Sequence, residues 1–123
     1  MPIQIDYISF PNDEVESIDL FMKEYIDEIF KYSFLVRFPA NTIGGNHVHE
    51  RVEKFIALGE LKLFYKEGSE IKEENMYEPD KGLKVITVES MTEHAVKNET
   101  HAIQFLLEFA DQEFTNAEKI NLI

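Results

Sequence analysis

Four histidines occur in the 123 residues, and three of them, His47, His49 and His94, stand where they can serve one piece of chemistry. His47 and His49 lie two residues apart in Gly44-Gly45-Asn46-His47-Val48-His49. On an extended strand that spacing turns both imidazoles to the same face. Glu53 follows four residues later and can return a carboxylate to that face across a tight bend. Two imidazoles and a carboxylate, with a third imidazole from His94, suit one divalent transition metal such as Zn, Mn, Fe or Ni. The plainer alternative makes His47 and His49 polar residues of a loop after Gly44-Gly45. The spacing, on a β-rich background, favours the metal site.

Short strands must position these donors. Ile3, Ile5 and Tyr7 alternate with polar partners and predict a first strand, broken at Pro11-Asn12-Asp13. From Asp13 to Phe30, Val15, Ile18, Met22, Tyr25, Ile26 and Ile29 fit an amphipathic helix capped by Asn12 or Asp13, although Ile18, Leu20 and Met22 also fit a strand. Phe34, Val36 and Phe38 predict the next strand, and Pro39 to Gly45 a loop. Further strands are expected over 53–58, from Leu61 to Tyr65, over 71–77 at a charged edge, over 83–88, over 94–96, and through Ile103, Phe105, Leu107 and Phe109. Turns fall at Gly59-Glu60, at Lys66 to Ser69 and at Pro79 to Gly82, and the tail from Phe114 to Leu122 is expected to hold a short helix. Many short strands at intervals of about ten residues predict an all-β sandwich or barrel.

Composition narrows the function classes. Apolar residues make up 44% of the chain and include ten Phe and five Tyr, which fits one folded domain over 1–123 and excludes a disordered chain. No apolar run is long enough to span a bilayer, and the first residues lack the basic start and apolar core of a secretory signal. A cytoplasmic location is expected. The absence of cysteine removes disulfides, thiolate ligands and a cysteine nucleophile. The formal charge of -12, from 24 acidic and 12 basic side chains, argues against nucleic acid and against anionic membranes as partners. A small-molecule ligand or substrate remains.

The motif residues resemble those of the cupins, small β-barrels of jelly-roll (double-stranded β-helix) type. Gly44-Gly45-Asn46-His47-Val48-His49, then Glu53 and Gly59, is similar to the first cupin motif, and His94-Ala95-Val96-Lys97-Asn98 to the second. The resemblance runs from about residue 32 to 110. Two departures stand out: Gly59 comes one residue early, and Ser90-Met91-Thr92-Glu93 replaces the Pro-x-Gly that often precedes the second histidine. The resemblance implies a barrel with a short N-terminal helical or irregular extension, and His47, His49, Glu53 and His94 as ligands of one divalent metal. In wording the motifs are closest to cupins of nucleotide-sugar and capsule-sugar modification, which implies a sugar isomerase or epimerase and a homodimer.

Four protein ligands leave a six-coordinate metal two positions for water or substrate. Such a metal polarises a carbonyl, as an enediol isomerisation or an epimerisation requires, and a general base must then reach the adjacent proton. His101, Tyr65 and Tyr77 are candidates, with a surface loop as the simpler setting for His101. Arg51 either borders the mouth of the site or is a surface residue paired with Glu50 or Glu53. Arg37, Lys54 and Lys62 are the other cations near the motif in sequence. The alternatives are a non-haem metal-dependent dioxygenase, which calls for an apolar pocket, a non-catalytic binding or sensory barrel, and a metal-free pocket in which one histidine acts as a base.

Overall fold

The computed structural model describes residues 1–10, 13–20, 26–113 and 117–123. Among these the regular structure is β, apart from one 3-10 turn at Pro79–Lys81. The strands are β1 (Ile3–Ile8), β2 (Tyr32–Phe38), β3 (Thr42–Val48), β4 (Glu53–Ala57), β5 (Lys62–Glu67), β6 (Glu70–Asn75), β7 (Leu83–Val88), β8 (His94–Asn98), β9 (Gln104–Ala110) and β10 (Glu118–Lys119). They form two antiparallel five-stranded sheets, one ordered β1-β7-β4-β9-β2 and the other β10-β3-β8-β5-β6. The expected all-β, jelly-roll architecture is what the chain forms.

The two sheets pack face to face. Phe55, Ile86, Val88 and Leu106 of the first sheet share a buried cluster with Leu63 and Val96 of the second. Period-two alternation sends the intervening residues of the first sheet outwards, where Ile56, Val85 and Phe109 would meet water. They do not, because Ile26 and Phe30 lie over them and form a second buried cluster. Both faces of the first sheet are therefore apolar. This explains why β9 carries apolar residues on both faces, with Leu106 and Glu108 turned inwards and Leu107 and Phe109 outwards.

Three expectations change. The residues of the expected helix over 13–30 that are described, 13–20 and 26–30, form bends and turns, so the extension is irregular; Phe21, Met22 and Tyr25 lie outside the described residues. Val15 and Ile29, meant for the buried stripe, are exposed, whereas Ile26 is 1% exposed. Docking of Ile26 and Phe30 on the sheet decides the path of this segment, and helical spacing does not. Gly44-Gly45, read as loop, lies inside β3. The expected C-terminal helix over 114–122 is replaced in its described part by β10, which pairs Glu118 with Val48 and Lys119 with His47. The charged segment after Ser69 is an edge strand, as its composition suggested.

Phe30 carries much of the outer cluster on a segment with no ladder of its own. Phe30→Ala should lower the unfolding free energy by about 3 kcal/mol in urea titrations. A loss below about 1 kcal/mol would show that the barrel stands without this cover.

Candidate metal centre

The ligand-type residues reach one place through an irregularity of β3. Gly44 pairs with Val96 and Gly45 with Ala95, but it is His47, not Asn46, that pairs with His94. The extra residue is a β-bulge, and it moves the odd-numbered positions after it to the inner face. Gly45 (φ 86°) and Asn46 (φ 56°) both take left-handed conformations to make it. A Cβ on Gly45 would also stand 3.3 Å from the His94 carbonyl oxygen and the Ala95 Cα. Hydrogen bonds hold the bulge from the edge: Ile120 N donates to the Asn46 carbonyl, and Ile123 N donates to Asn46 Oδ1.

Beyond the bulge, Met91 N donates to the His49 carbonyl, and Val52 N donates to Asp111 Oδ1. These bonds fix the bend that returns the chain into β4 at Glu53. His47, His49, Glu53 and His94 then present one donor atom each, all within 4.8 Å of one another. The three imidazole centroids are 4.7, 4.9 and 5.1 Å apart. All four predicted ligands therefore converge.

Glu53 is fully buried, with Oε1 2.8 Å from His49 Nε2 and 3.1 Å from His94 Nε2, and Oε2 2.8 Å from Arg51 Nη2. Burial alone would raise its pKa, but hydrogen bonds from His49 and His94 hold it well below the usual carboxylate range. His94 Nδ1 lies 2.8 Å from the Thr92 carbonyl oxygen. A carbonyl only accepts, so Nδ1 carries the hydrogen and Nε2 is the atom turned to Glu53. Between that nitrogen and the carboxylate there must be a second proton or a cation. In an octahedron with bonds of about 2.1 Å, neighbouring donors stand about 3.0 Å apart, close to the 2.8 and 3.1 Å from Glu53 Oε1 to His49 and His94. The donor set and its spacing thus fit a divalent metal. His47 faces the same space, and burial, together with the neighbouring His94 and His49, lowers its pKa to about 4.

Two residues extend the site. Arg51 is 6% exposed, and its Nη2 joins Glu53 to Glu108, the latter at 3.1 Å. Its guanidinium carbon stands 5.6 Å from the Phe34 ring centre. Of the two settings expected for Arg51, the structure combines burial at the site with the Glu53 pair. Glu108 escaped the sequence reading. Burial, then its hydrogen bond and repulsion with Glu53, push its pKa up to about 9, although Arg51 opposes this. Glu53 thus stays ionised while Glu108 keeps a proton at neutral pH. The signal was a lone acid on the inner parity of β9, hidden in Leu106-Leu107-Glu108-Phe109.

The other candidates fall elsewhere. His101 is exposed and lies 3.4 Å from Asn41 Nδ2. Tyr65 packs against the inter-sheet core and lines a separate hollow near Ile3 and Ile5, and Tyr77 stands near Pro79 and Lys84. Lys54 lies over the Phe30 ring, and Lys62 pairs with Glu99. Asn98 does steady the loops: fully buried, it donates to the Phe38, Pro39 and Ala102 carbonyls and accepts from Thr100.

A cavity of about 510 Å³ opens beside the centre. His47, His94, Arg51 and Glu108 form its polar end, and Phe34, Val36, Phe38, Phe55, Val96 and Leu106 form its apolar wall. Gly44 also lines it, and a Cβ there would stand 2.7 Å from the Phe38 ring, so glycine lets that ring lie flat in the wall.

Two opposed sheets, with this motif bulged into their interior, match known structures over nearly the whole chain. The chain has the cupin fold. The TDP-fucose-3,4-ketoisomerase WlaRA from Campylobacter jejuni is 17% identical, with a TM-score of 0.72, over 94% of this chain and 85% of that one. A 3,4-ketoisomerase from Helicobacter canadensis is 15% identical, with a TM-score of 0.74, over 94% and 87%. The capsular polysaccharide assembling protein CapF from Staphylococcus aureus is 19% identical, with a TM-score of 0.63, over 72% of this chain. This chain spans only 27% of the CapF chain. No family model matches the sequence, and no curated protein matches it.

The site gives the metal-free protein a two-sided pH dependence. His47 and Glu53 have lowered pKa values in the fold, so the unfolded chain binds more protons as pH falls through 6.5 to 4 and below. Below about pH 4.5, where Glu108 no longer offsets these groups, stability should therefore fall on acidification. Glu108 has the opposite sign: between its ordinary 4.5 and about 9 the folded state keeps a proton that the unfolded chain releases. Rising pH in that window should cost on the order of 1 kcal/mol per unit. In denaturant titrations of metal-free protein, Glu108→Gln should gain on the parent between pH 5.5 and 8.5. An unchanged difference between the two would mean that Glu108 is ionised in the fold.

Proposed function

We propose that this cupin is a metal-dependent enzyme of the sugar isomerase or epimerase type. The observation that supports it is the convergence of four metal-type donors around a fully buried carboxylate at the polar end of a substrate-sized cavity. His47, His49, Glu53 and His94 would hold one divalent ion. When bound, that ion supplies Lewis-acid polarisation of a carbonyl. Arg51 keeps Glu53 and Glu108 in place through its shared Nη2. Glu108 lines the cavity beside the centre, where its carboxyl group would exchange a proton with a ligand oxygen. The apolar wall holds the rest of the ligand and excludes water. The neighbours' reactions on nucleotide-linked sugars add support for a sugar as the substrate class.

The apolar wall also favours a second reading, a non-haem dioxygenase using the same His and carboxylate donors. Solvent exchange separates the two. An isomerase incubated in deuterated water with TDP-4-keto-6-deoxyglucose or simpler ketoses should wash deuterium into the carbon next to the carbonyl without consuming oxygen. Oxygen uptake without exchange would favour the dioxygenase, and neither activity, with ligand binding intact, a sensory barrel.

The metal reading has its own test. Chelated protein titrated with Zn, Mn, Fe(II) or Ni should take up one ion per chain, more weakly as pH falls because imidazole ligands must be unprotonated. His49→Ala should abolish that uptake while leaving the far-ultraviolet circular dichroism spectrum unchanged. Native protein without stoichiometric metal, and unable to bind any, would refute the four ligands.

We further propose a cytoplasmic homodimer. β2 is an edge strand, and Phe34, Leu35, Ile43 and Phe105 on or near it are exposed. Light scattering should give twice the 14.4 kDa chain mass; a monomer at high concentration would refute the pairing.

A further inference from the structure

The charges around the cavity define which ligands it can hold. Two cationic side chains, Arg37 and Arg51, are among its lining residues. Arg51 is buried and already faces two carboxylates, Glu53 Oε2 at 2.8 Å and Glu108 Oε1 at 3.1 Å. A phosphate brought to it would have to compete with Glu53, whose burial leaves that carboxylate nowhere to go. Arg37 is exposed at the rim on β2. The lysines closest to the motif in sequence do not compensate, because Lys54 lies over Phe30 and Lys62 against Glu99, away from the cavity lining. With a formal charge of -12 on the whole chain, a diphosphate would find little to recognise it.

The wall tells the rest. Phe34, Val36, Phe38, Phe55, Val96 and Leu106 offer hydrocarbon and ring surface, and the polar groups gather at one end. A ligand that fills this space must be divided in the same way. Resting on the metal reading above, we infer that the cavity takes a phosphate-free molecule with two vicinal oxygens, such as a hydroxyketone or an enediol, on the edge facing His47, His94 and Glu108, and an unhydroxylated hydrocarbon flank against the Phe34–Leu106 wall. A phosphate or diphosphate group is not held inside the cavity. For a sugar substrate this means a deoxygenated one, with any anionic extension left outside in solvent.

Tropolone, a planar hydroxyketone, is a suitable probe when compared with 4-isopropyltropolone, pyrophosphate and TDP on zinc-loaded protein by calorimetry. Burial of hydrocarbon gains about fourfold in affinity per carbon. The isopropyl compound should therefore bind at least about tenfold more tightly than tropolone. Val36→Thr, which keeps the shape and adds a hydroxyl, should reduce that ratio while leaving zinc uptake unchanged, and Phe34→Ala should do the same. Pyrophosphate and TDP should bind more weakly than tropolone. Normal zinc uptake combined with no gain from the isopropyl group, or with TDP binding more tightly than tropolone, overturns this inference alone. A flat zinc titration overturns both it and the metal reading.

Discussion

The burial of one carboxylate sets the terms for this end of the barrel. Glu53 is fully excluded from solvent, between two sheets whose shared core is mainly apolar. An ionised carboxylate in such a place costs several kcal/mol unless charge and hydrogen bonds replace its water. Three side chains do so, His49, His94 and Arg51, and each needs its own support. The Thr92 carbonyl orients His94, Met91 anchors the backbone of His49, and Glu108 shares Arg51. These supports come from the bend after β3, the approach to β8 and the inner face of β9, so the polar end is held from both sheets.

The same demand explains the backbone of β3. Two histidines can both face inwards on a regular strand only if the strand enters the sheet with the right parity. Gly44, beside the Phe38 ring, and His47, opposite His94, both face the interior although they stand three positions apart. A bulge at Gly45-Asn46 reconciles them, at the cost of two left-handed residues. The short tail strand β10 then covers the edge of β3 at Val48 and His47, where a bulged strand is least protected.

What was legible in the sequence follows from how local each signal is. The shared face of His47 and His49 depends only on the two-residue period of a strand, and it survives the bulge because the bulge precedes both. Strands β4, β5 and β7 were readable because their apolar residues sit between strong turns at Gly59, Gly68 and Gly82. The bulge itself was not readable, since it exists only relative to Ala95 and His94 on the partner strand. Glu108 was hidden because both faces of its sheet are apolar, which removes the alternation that would have marked it as inward. The segment over 13–30 failed because the four-residue spacing of Ile26 and Phe30 also suits a helix, whereas here the pair covers the outer face of that sheet. The Glu118–Lys119 strand is too short to carry a pattern of its own.

A second buried charge contrasts with the first. Lys84 lies on the inner parity of β7, four residues from Val88, which pairs with Glu53, so it sits toward the far end of the barrel. Its side chain is 1% exposed, yet its ammonium donates to Glu78 at 2.5 Å, to Glu74 at 3.3 Å and to the Asn75 carbonyl. Three donors meet three acceptors, and the arrangement is complete within the protein. At the other end the groups around Glu53 differ in kind. Three imidazoles bring nitrogens that are as ready to accept as to donate, and they crowd a carboxylate that only accepts. Proteins that need only to satisfy a buried charge do so as Lys84 does, with a fixed match of donors and acceptors. A carboxylate ringed by imidazoles, held from both sheets and opening on a cavity, is the arrangement on which the proposed metal site rests.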